Sequence, residues 1–219
     1  MSEGRADSER ARELADELRA IVEALSVTEL EAPALARASE LARALRRQLA
    51  GTRQPRWYDT NVGERSRTGA SQRAYLDQSP VRGQLNPLAP PLSIESVEES
   101  DGSRSVRGRA RLGMAYEGPP YAVHGGWVAA LFDELLGATQ RLTRVSGLTA
   151  SLRVKYRHPT PLEEVLEFRG WIEREQKHFV IARATCHAGD TLTAEAEAMF
   201  LRVDFDALQK QMRKRREST

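Results

Sequence analysis

YEGPPYAVHGGWVAALFDELLG, residues 116–137, passes in one stretch from a turn-rich loop to an apolar helix. Gly118, Pro119 and Pro120 mark the loop, and His124-Gly125-Gly126 narrows it. Helix formers then run from Trp127 through Leu136, with Gly137 as the expected stop. A helix apolar on every side is expected to be buried. Asp133 and Glu134 nevertheless lie in its middle, and carboxylates are seldom buried without a partner or a task. The two glycines at its start let another molecule approach backbone N–H groups at the positive end of the helix dipole. That combination points to a reaction site.

The Gly125 N–H at the helix start is suited to hold a carbonyl oxygen and the oxyanion it becomes, with His124 beside it. Either Asp133 or Glu134 qualifies as the acid, and periodicity does not separate them. Gly125 and Asp133 are eight residues apart, about 12 Å along a helix axis. A carbonyl held at Gly125 is therefore out of reach of Asp133 in the same helix. It is within reach of an aspartate on a second copy lying antiparallel, so a two-fold dimer makes two composite sites.

On either side of this helix the pattern has period two. Val106, Ala110, Leu112, Met114 and Tyr116 alternate with Arg107, Arg109 and Arg111, which predicts a half-buried strand. A shorter strand around Ser93–Glu98 precedes it across Ser100-Asp101-Gly102. After the helix, Leu152, Val154 and Tyr156 alternate with Ser151, Arg153, Lys155 and Arg157, up to Pro159 and Pro161. Strands at Val165–Arg174, Lys177–His187 and Leu192–Asp204 follow, their short turns predicting an antiparallel meander. The order β-β-α-β-β-β-β is that of an α+β protein with one helix packed on one antiparallel sheet.

Before this domain, residues 7–25 and a segment after Thr28 or Pro33 place apolar residues at intervals of three and four. Residues 1–51 are thus expected to form a helical hairpin whose narrow stripe packs on the main domain or on a partner. Residues 52–85 hold no period and read as a linker or an extended wrap, with Trp57, Tyr58 and Tyr75 as possible pins. The segment QLNPLAPPL, 84–92, is expected to be irregular but packed. Residues 86–205 make the main domain and 206–219 a basic tail.

With 40% hydrophobic and 29% charged residues, the composition is that of a soluble globular protein. No apolar run approaches the roughly 20 residues of a membrane span, so no membrane partner is expected. The single cysteine, Cys186, excludes an internal disulfide and a multi-cysteine metal site, and fits a reducing, cytoplasmic setting. The net charge of +2 and scattered arginines give no basis for nucleic-acid binding. GxSxG, GxxxxGK[ST] and HExxH motifs are missing, no metal or redox cofactor is expected, and Cys186 reads as core.

The HGG with an acid nine residues after the histidine, followed by T-x-x-L-x-V-x-Y-x-x-P in TASLRVKYRHPTPLEE, resembles the hot-dog-fold acyl-CoA thioesterases, especially the mitochondrial long-chain subfamily. The likeness runs roughly from Asn86 to Val203. It implies a sheet wrapped around the helix, hydrolysis of an acyl-CoA, and at least a homodimer, possible also as a dimer of dimers. It assigns the oxyanion donor to Gly125 after His124, the catalytic acid to Asp133 rather than Glu134, and an assisting hydroxyl to Thr149. It places CoA contacts at Lys155, Arg157, Lys177 and His178, where cations suit phosphates. Members of this family have no obvious equivalent of the hairpin at 7–50. The alternative from another class is a catalytically idle acyl-CoA-binding or regulatory protein.

Overall fold

A strand with alternating polarity needs one apolar face to lie on, and here a single helix supplies it for six strands. The computed structural model describes residues 3–51, 76–90, 92–143, 147–204, 207, 208, 210, 211, 214 and 215, with side chains from residue 7 onward. The chain divides into two compact units, Met1–Leu76 and Asp77–Thr219.

In the first unit, α1 spans Glu3–Val27 and α2 spans Ala32–Gln48, with Pro33 in the first turn of α2, where a missing N–H costs nothing. Ala15 of α1 is buried, whereas α2 has no buried residue. Ile21, Val22, Leu25, Leu35 and Leu41 are exposed, while Leu14, Leu18 and Leu45 are half-buried, so the expected stripe is only partly covered. Trp57, Tyr58, Tyr75 and most of the 52–85 segment lie outside the described residues.

In the second unit the strands are β1 (Ser93–Glu98), β2 (Arg104–Arg111), β3 (Gly147–Tyr156), β4 (Val165–Glu175), β5 (Phe179–Ala188) and β6 (Thr191–Arg202). They form one antiparallel sheet in the order β1-β2-β4-β5-β6-β3. The meander β4-β5-β6 is as the short turns predict. Strand β3 crosses over to pair with β6 and becomes an edge, so its only ladder among the described strands is on one side.

Helix α3, Gly125–Gln140, lies on the inner face of this sheet. Leu131, Phe132, Leu135 and Leu136 are each fully buried, and each contributes on the order of 1.5–3 kcal/mol by leaving water. Phe132 meets Phe168 of β4 edge to face, ring centroids 5.5 Å apart. The facing positions of β5 and β6 are mostly alanine (Ala182, Ala184, Ala194, Ala196, Ala198), so the helix comes close to the sheet. In β4, a Cβ on Gly170 would stand 2.4 Å from the Thr139 hydroxyl. This is the hot-dog fold, preceded by N-terminal helices.

Three element boundaries depart most from the pattern. Strand β2 ends at Arg111, and Met114–Tyr116 forms a 3-10 turn although Met114 and Tyr116 keep the alternation. Helix α3 also begins before Trp127 and continues through Gly137 to Gln140. Tertiary anchoring outweighs the roughly 1 kcal/mol helix penalty of a glycine. Beyond Gly137, Thr139 is fully buried, and the Gln140 amide accepts from the Gly147 N–H (2.9 Å) and donates to the Gly147 carbonyl (3.1 Å).

Candidate active site

The loop before α3 is folded tightly enough to fix where the helix starts. Gly118 N–H donates to the Ala122 carbonyl (2.9 Å), and Tyr121 sits at φ 62°, a left-handed conformation that costs a tyrosine about 1–2 kcal/mol. Its N–H is held by the Glu117 carboxylate at 2.8 Å. A Cβ on Gly118 would come within 2.6 Å of the His124 Cα, so only glycine lets the loop close over His124.

His124 is the N-cap of α3. Its Nδ1 accepts from the Gly126 N–H at 3.0 Å, so Nδ1 carries the lone pair and the neutral ring carries its proton on Nε2. The His124 carbonyl accepts from Trp127 N–H at 2.9 Å. Among the described residues, the Gly125 N–H has no hydrogen-bond partner. It is an open donor at the positive end of a 16-residue helix.

Two turns on, Asp133 and Glu134 part company. Asp133 is exposed, and the Thr149 hydroxyl donates to its Oδ1 at 3.0 Å. Glu134 points to the other side, with Oε1 2.9 Å from Arg82 Nε and Oε2 accepting from the Ser79 hydroxyl at 3.3 Å. Its carboxylate is committed to holding Ser79 and Arg82 on the helix. The expectation that Asp133 sits in an apolar environment is therefore corrected: Leu131, Phe132, Leu135 and Leu136 point into the sheet, away from it. Asp133 shares a stripe with Gly126, Ala130 and Gly137, which count as apolar or neutral in sequence but present little to bury.

Thr149 reaches Asp133 through an irregularity in β3. The ladder with β6 shifts between Thr149, opposite Phe200, and Ser151, opposite Met199, leaving Ala150 as an extra residue. Such a bulge changes the face on which a side chain emerges, so strict alternation extrapolated backward from Ser151 misplaces Thr149. At the other end of β3, the Tyr156 hydroxyl donates to the Gly125 carbonyl at 2.8 Å. Alternation marks Tyr156 as a strand position, and the T-x-x-L-x-V-x-Y-x-x-P pattern contains it without giving it a role.

The cationic residues fall into two separate groups. Lys155 Nζ lies 3.5 Å from Glu195 Oε1, and Arg157 Nη2 lies 2.5 Å from the same oxygen. The Arg157 hydrogen bond, aided by Lys155, holds the Glu195 carboxyl below its ordinary range. Lys177 and His178 sit in the β4–β5 turn, where the His178 carbonyl accepts from Arg202 N–H. Along β6, Lys155 is level with Glu195, while Phe179, next to His178, is level with Leu201. Six strand residues separate those levels, about 20 Å. One chain does not bring the four together.

Cys186 is fully buried, and burial pushes its thiol up to about 11, unfit for a nucleophile. Among the described residues, no group of three His, Cys, Asp or Glu side chains is placed to hold a metal ion, and no helix is long and apolar enough to cross a membrane.

With this geometry in hand, the likenesses can be placed. Residues 122–195 match the family model described as Thioesterase superfamily. The chain is 32% identical over 93 residues to the acyl-coenzyme A thioesterase THEM4 of Xenopus laevis, covering 42% of each. It is 30% identical over 94 residues to the protein of that name from Mus musculus, covering 42% of this chain and 40% of the relative. It thus spans less than half the length of these curated relatives. A crystal structure of a thioesterase superfamily protein superposes with a TM-score of 0.71 at 28% identity, covering 87% of this chain and 94% of that one. At that coverage the match extends beyond Asp77–Thr219 into residues 1–76.

Proposed function

We propose that this chain, which carries a thioesterase-superfamily domain over residues 122–195, hydrolyses acyl-CoA thioesters in a site shared by two copies. One observation carries the reading: α3 presents an unpartnered Gly125 N–H at its start and an exposed, Thr149-oriented Asp133 two turns later. The thioester carbonyl oxygen accepts from Gly125 N–H. Asp133 takes a proton from water, the hydroxide adds to the carbonyl carbon, and negative charge gathers on the oxygen facing Gly125. Collapse breaks the C–S bond, and the departing CoA thiolate takes up a proton, leaving the free acid. Direct attack by the Asp133 carboxylate, through a mixed anhydride that water then opens, uses the same groups.

The separation of about 12 Å along α3 favours Asp133 of one copy serving Gly125 of another. The small stripe Gly126, Ala130, Asp133, Gly137 permits close antiparallel approach of two such helices, and β3 offers a free sheet edge beside it. Antiparallel pairing of two β3 edges would bring Lys155 and Arg157 of one copy towards Lys177 and His178 of the other. We assign both groups to the CoA phosphates on that arrangement, and propose with it a homodimer, a cytoplasmic setting and a place in fatty acid metabolism.

Turnover across acyl-CoAs of different chain lengths and aryl types is the first test. Tight CoA binding without turnover of any thioester would instead identify an idle binder. Sharing is tested by mixing Asp133→Asn with Gly125→Pro. Heterodimers then hold one doubly defective and one intact site, so activity returns on mixing. Mixed dimers that form and stay inactive would place each site within one chain.

A further inference from the structure

Resting on the thioesterase reading above, we infer that Tyr156 is a positioning residue for the Gly125 oxyanion donor, acting through the peptide plane that follows it. Two peptide planes meet at Gly125. The first contains the His124 carbonyl and the Gly125 N–H, and the second contains the Gly125 carbonyl and the Gly126 N–H. The His124 carbonyl is held by Trp127 N–H at 2.9 Å. The Gly126 N–H is held by His124 Nδ1 at 3.0 Å, and the Gly125 carbonyl by the Tyr156 hydroxyl at 2.8 Å. Of the four polar groups, only the Gly125 N–H is left to a ligand among the described residues.

Pinning matters because two consecutive glycines give the backbone its widest freedom. A donor that must be rearranged as charge develops loses most of its catalytic value, which comes from being oriented beforehand. Tyr156 is suited to this role by place as well as by chemistry. As the last residue of β3, level with Ala194, it is carried by the sheet rather than by the loop it restrains. Its ring also occupies the space beside Gly125: a Cβ there would stand 3.3 Å from the ring and from the hydroxyl oxygen. The glycine at 125 and the tyrosine at 156 are thus fitted to each other. Donation to the Gly125 carbonyl further polarises the plane, strengthening the Gly126 N–H bond to His124 at its other end.

Tyr156→Phe in the full chain keeps the ring and removes only the hydroxyl. We expect kcat to fall about 10-fold with KM within about twofold, the range of partners that orient a catalytic group. A ketone analogue of an acyl-CoA, with methylene in place of the thioester sulfur, gives a direct probe. Its carbonyl stretch, lowered on binding the native protein, is expected to move back towards the free value in the variant while affinity stays. A purely structural role would lower affinity or melting temperature instead. Hydrogen exchange of the Gly126 amide reads the pinning without any substrate, and is expected to be faster in the variant. Unchanged kcat and carbonyl stretch in Tyr156→Phe would overturn the inference and leave the thioesterase reading intact. If the native chain turns over no thioester, that reading falls, and Gly126 exchange alone decides whether Tyr156 pins the plane.

Discussion

Two faces of α3 differ in what they ask of the same backbone. The face bearing Leu131, Phe132, Leu135 and Leu136 is fully buried on the sheet, where every methylene has a neighbour. On the opposite face Gly126 and Asp133 are exposed and Ala130 and Gly137 half-buried, and a Cβ built on Gly137 would meet nothing within 4 Å. One face stores stability and the other, in the proposed mechanism, presents chemistry. Substitutions on the two should therefore separate cleanly into losses of folding free energy and losses of turnover.

The largest effect is expected on the buried face. Leu135→Ala removes a fully buried side chain whose methyls fill the space that a Cβ on Gly108 or Gly170 would enter. It should cost about 3–4 kcal/mol, read as a lower urea midpoint with an unchanged slope. A loss below about 1 kcal/mol would show that the face is not packed as described. Next comes Asp133→Asn, which keeps shape and removes the proposed base. Its kcat should drop on the order of 10²-fold, about 2.7 kcal/mol in the barrier, with the melting temperature preserved. If stability falls with activity, the opposite face is also structural and the contrast breaks.

Glu134→Gln sits on the border between the faces and sharpens it. Its ion pair with Arg82 is largely shielded, with 12% and 15% of the two side chains exposed. We expect a stability loss of about 1–2 kcal/mol and near-native kcat, the reverse of its neighbour. The smallest effect is expected for Arg157→Glu. Glu195 already neutralises part of that charge, so KM for acyl-CoA should rise only a few-fold, more at low salt than at high. An unchanged KM removes Arg157 from the CoA contacts.

Much of this arrangement was visible in the residues. Period-two runs located the strands, and Ser93–Glu98 even has the expected ends. His124-Gly125-Gly126 marked the helix start because two glycines before an apolar run have a backbone reason to be there. What alternation hid was long-range. The crossover that places β3 beyond β6 depends on which ladders close, not on any local pattern. The Ala150 bulge interrupts period two where Thr149 must turn inward. The composition of α3 suggested burial all round because glycine and alanine count as apolar without requiring burial. Asp133 and Glu134 looked alike until Arg82 and Ser79, some fifty residues earlier in the chain, claimed one of them.

The position of β3 also bears on how the protein emerges from the ribosome. Its only strand partner among the described residues is β6, which ends at Arg202. While residues 157–190 are being synthesised, α3 and β3 are both complete, yet the ladder that seats β3 has no second half. The leucines of α3 await the alanine-lined strands that will cover them, a period in which a chaperone has something to hold. Thr149 can settle opposite Phe200, within reach of Asp133, only when β6 has arrived. The Asp133–Thr149 contact therefore depends on β6 having been made, and a nascent chain stalled before β6 would carry α3 with Asp133 not yet oriented by Thr149.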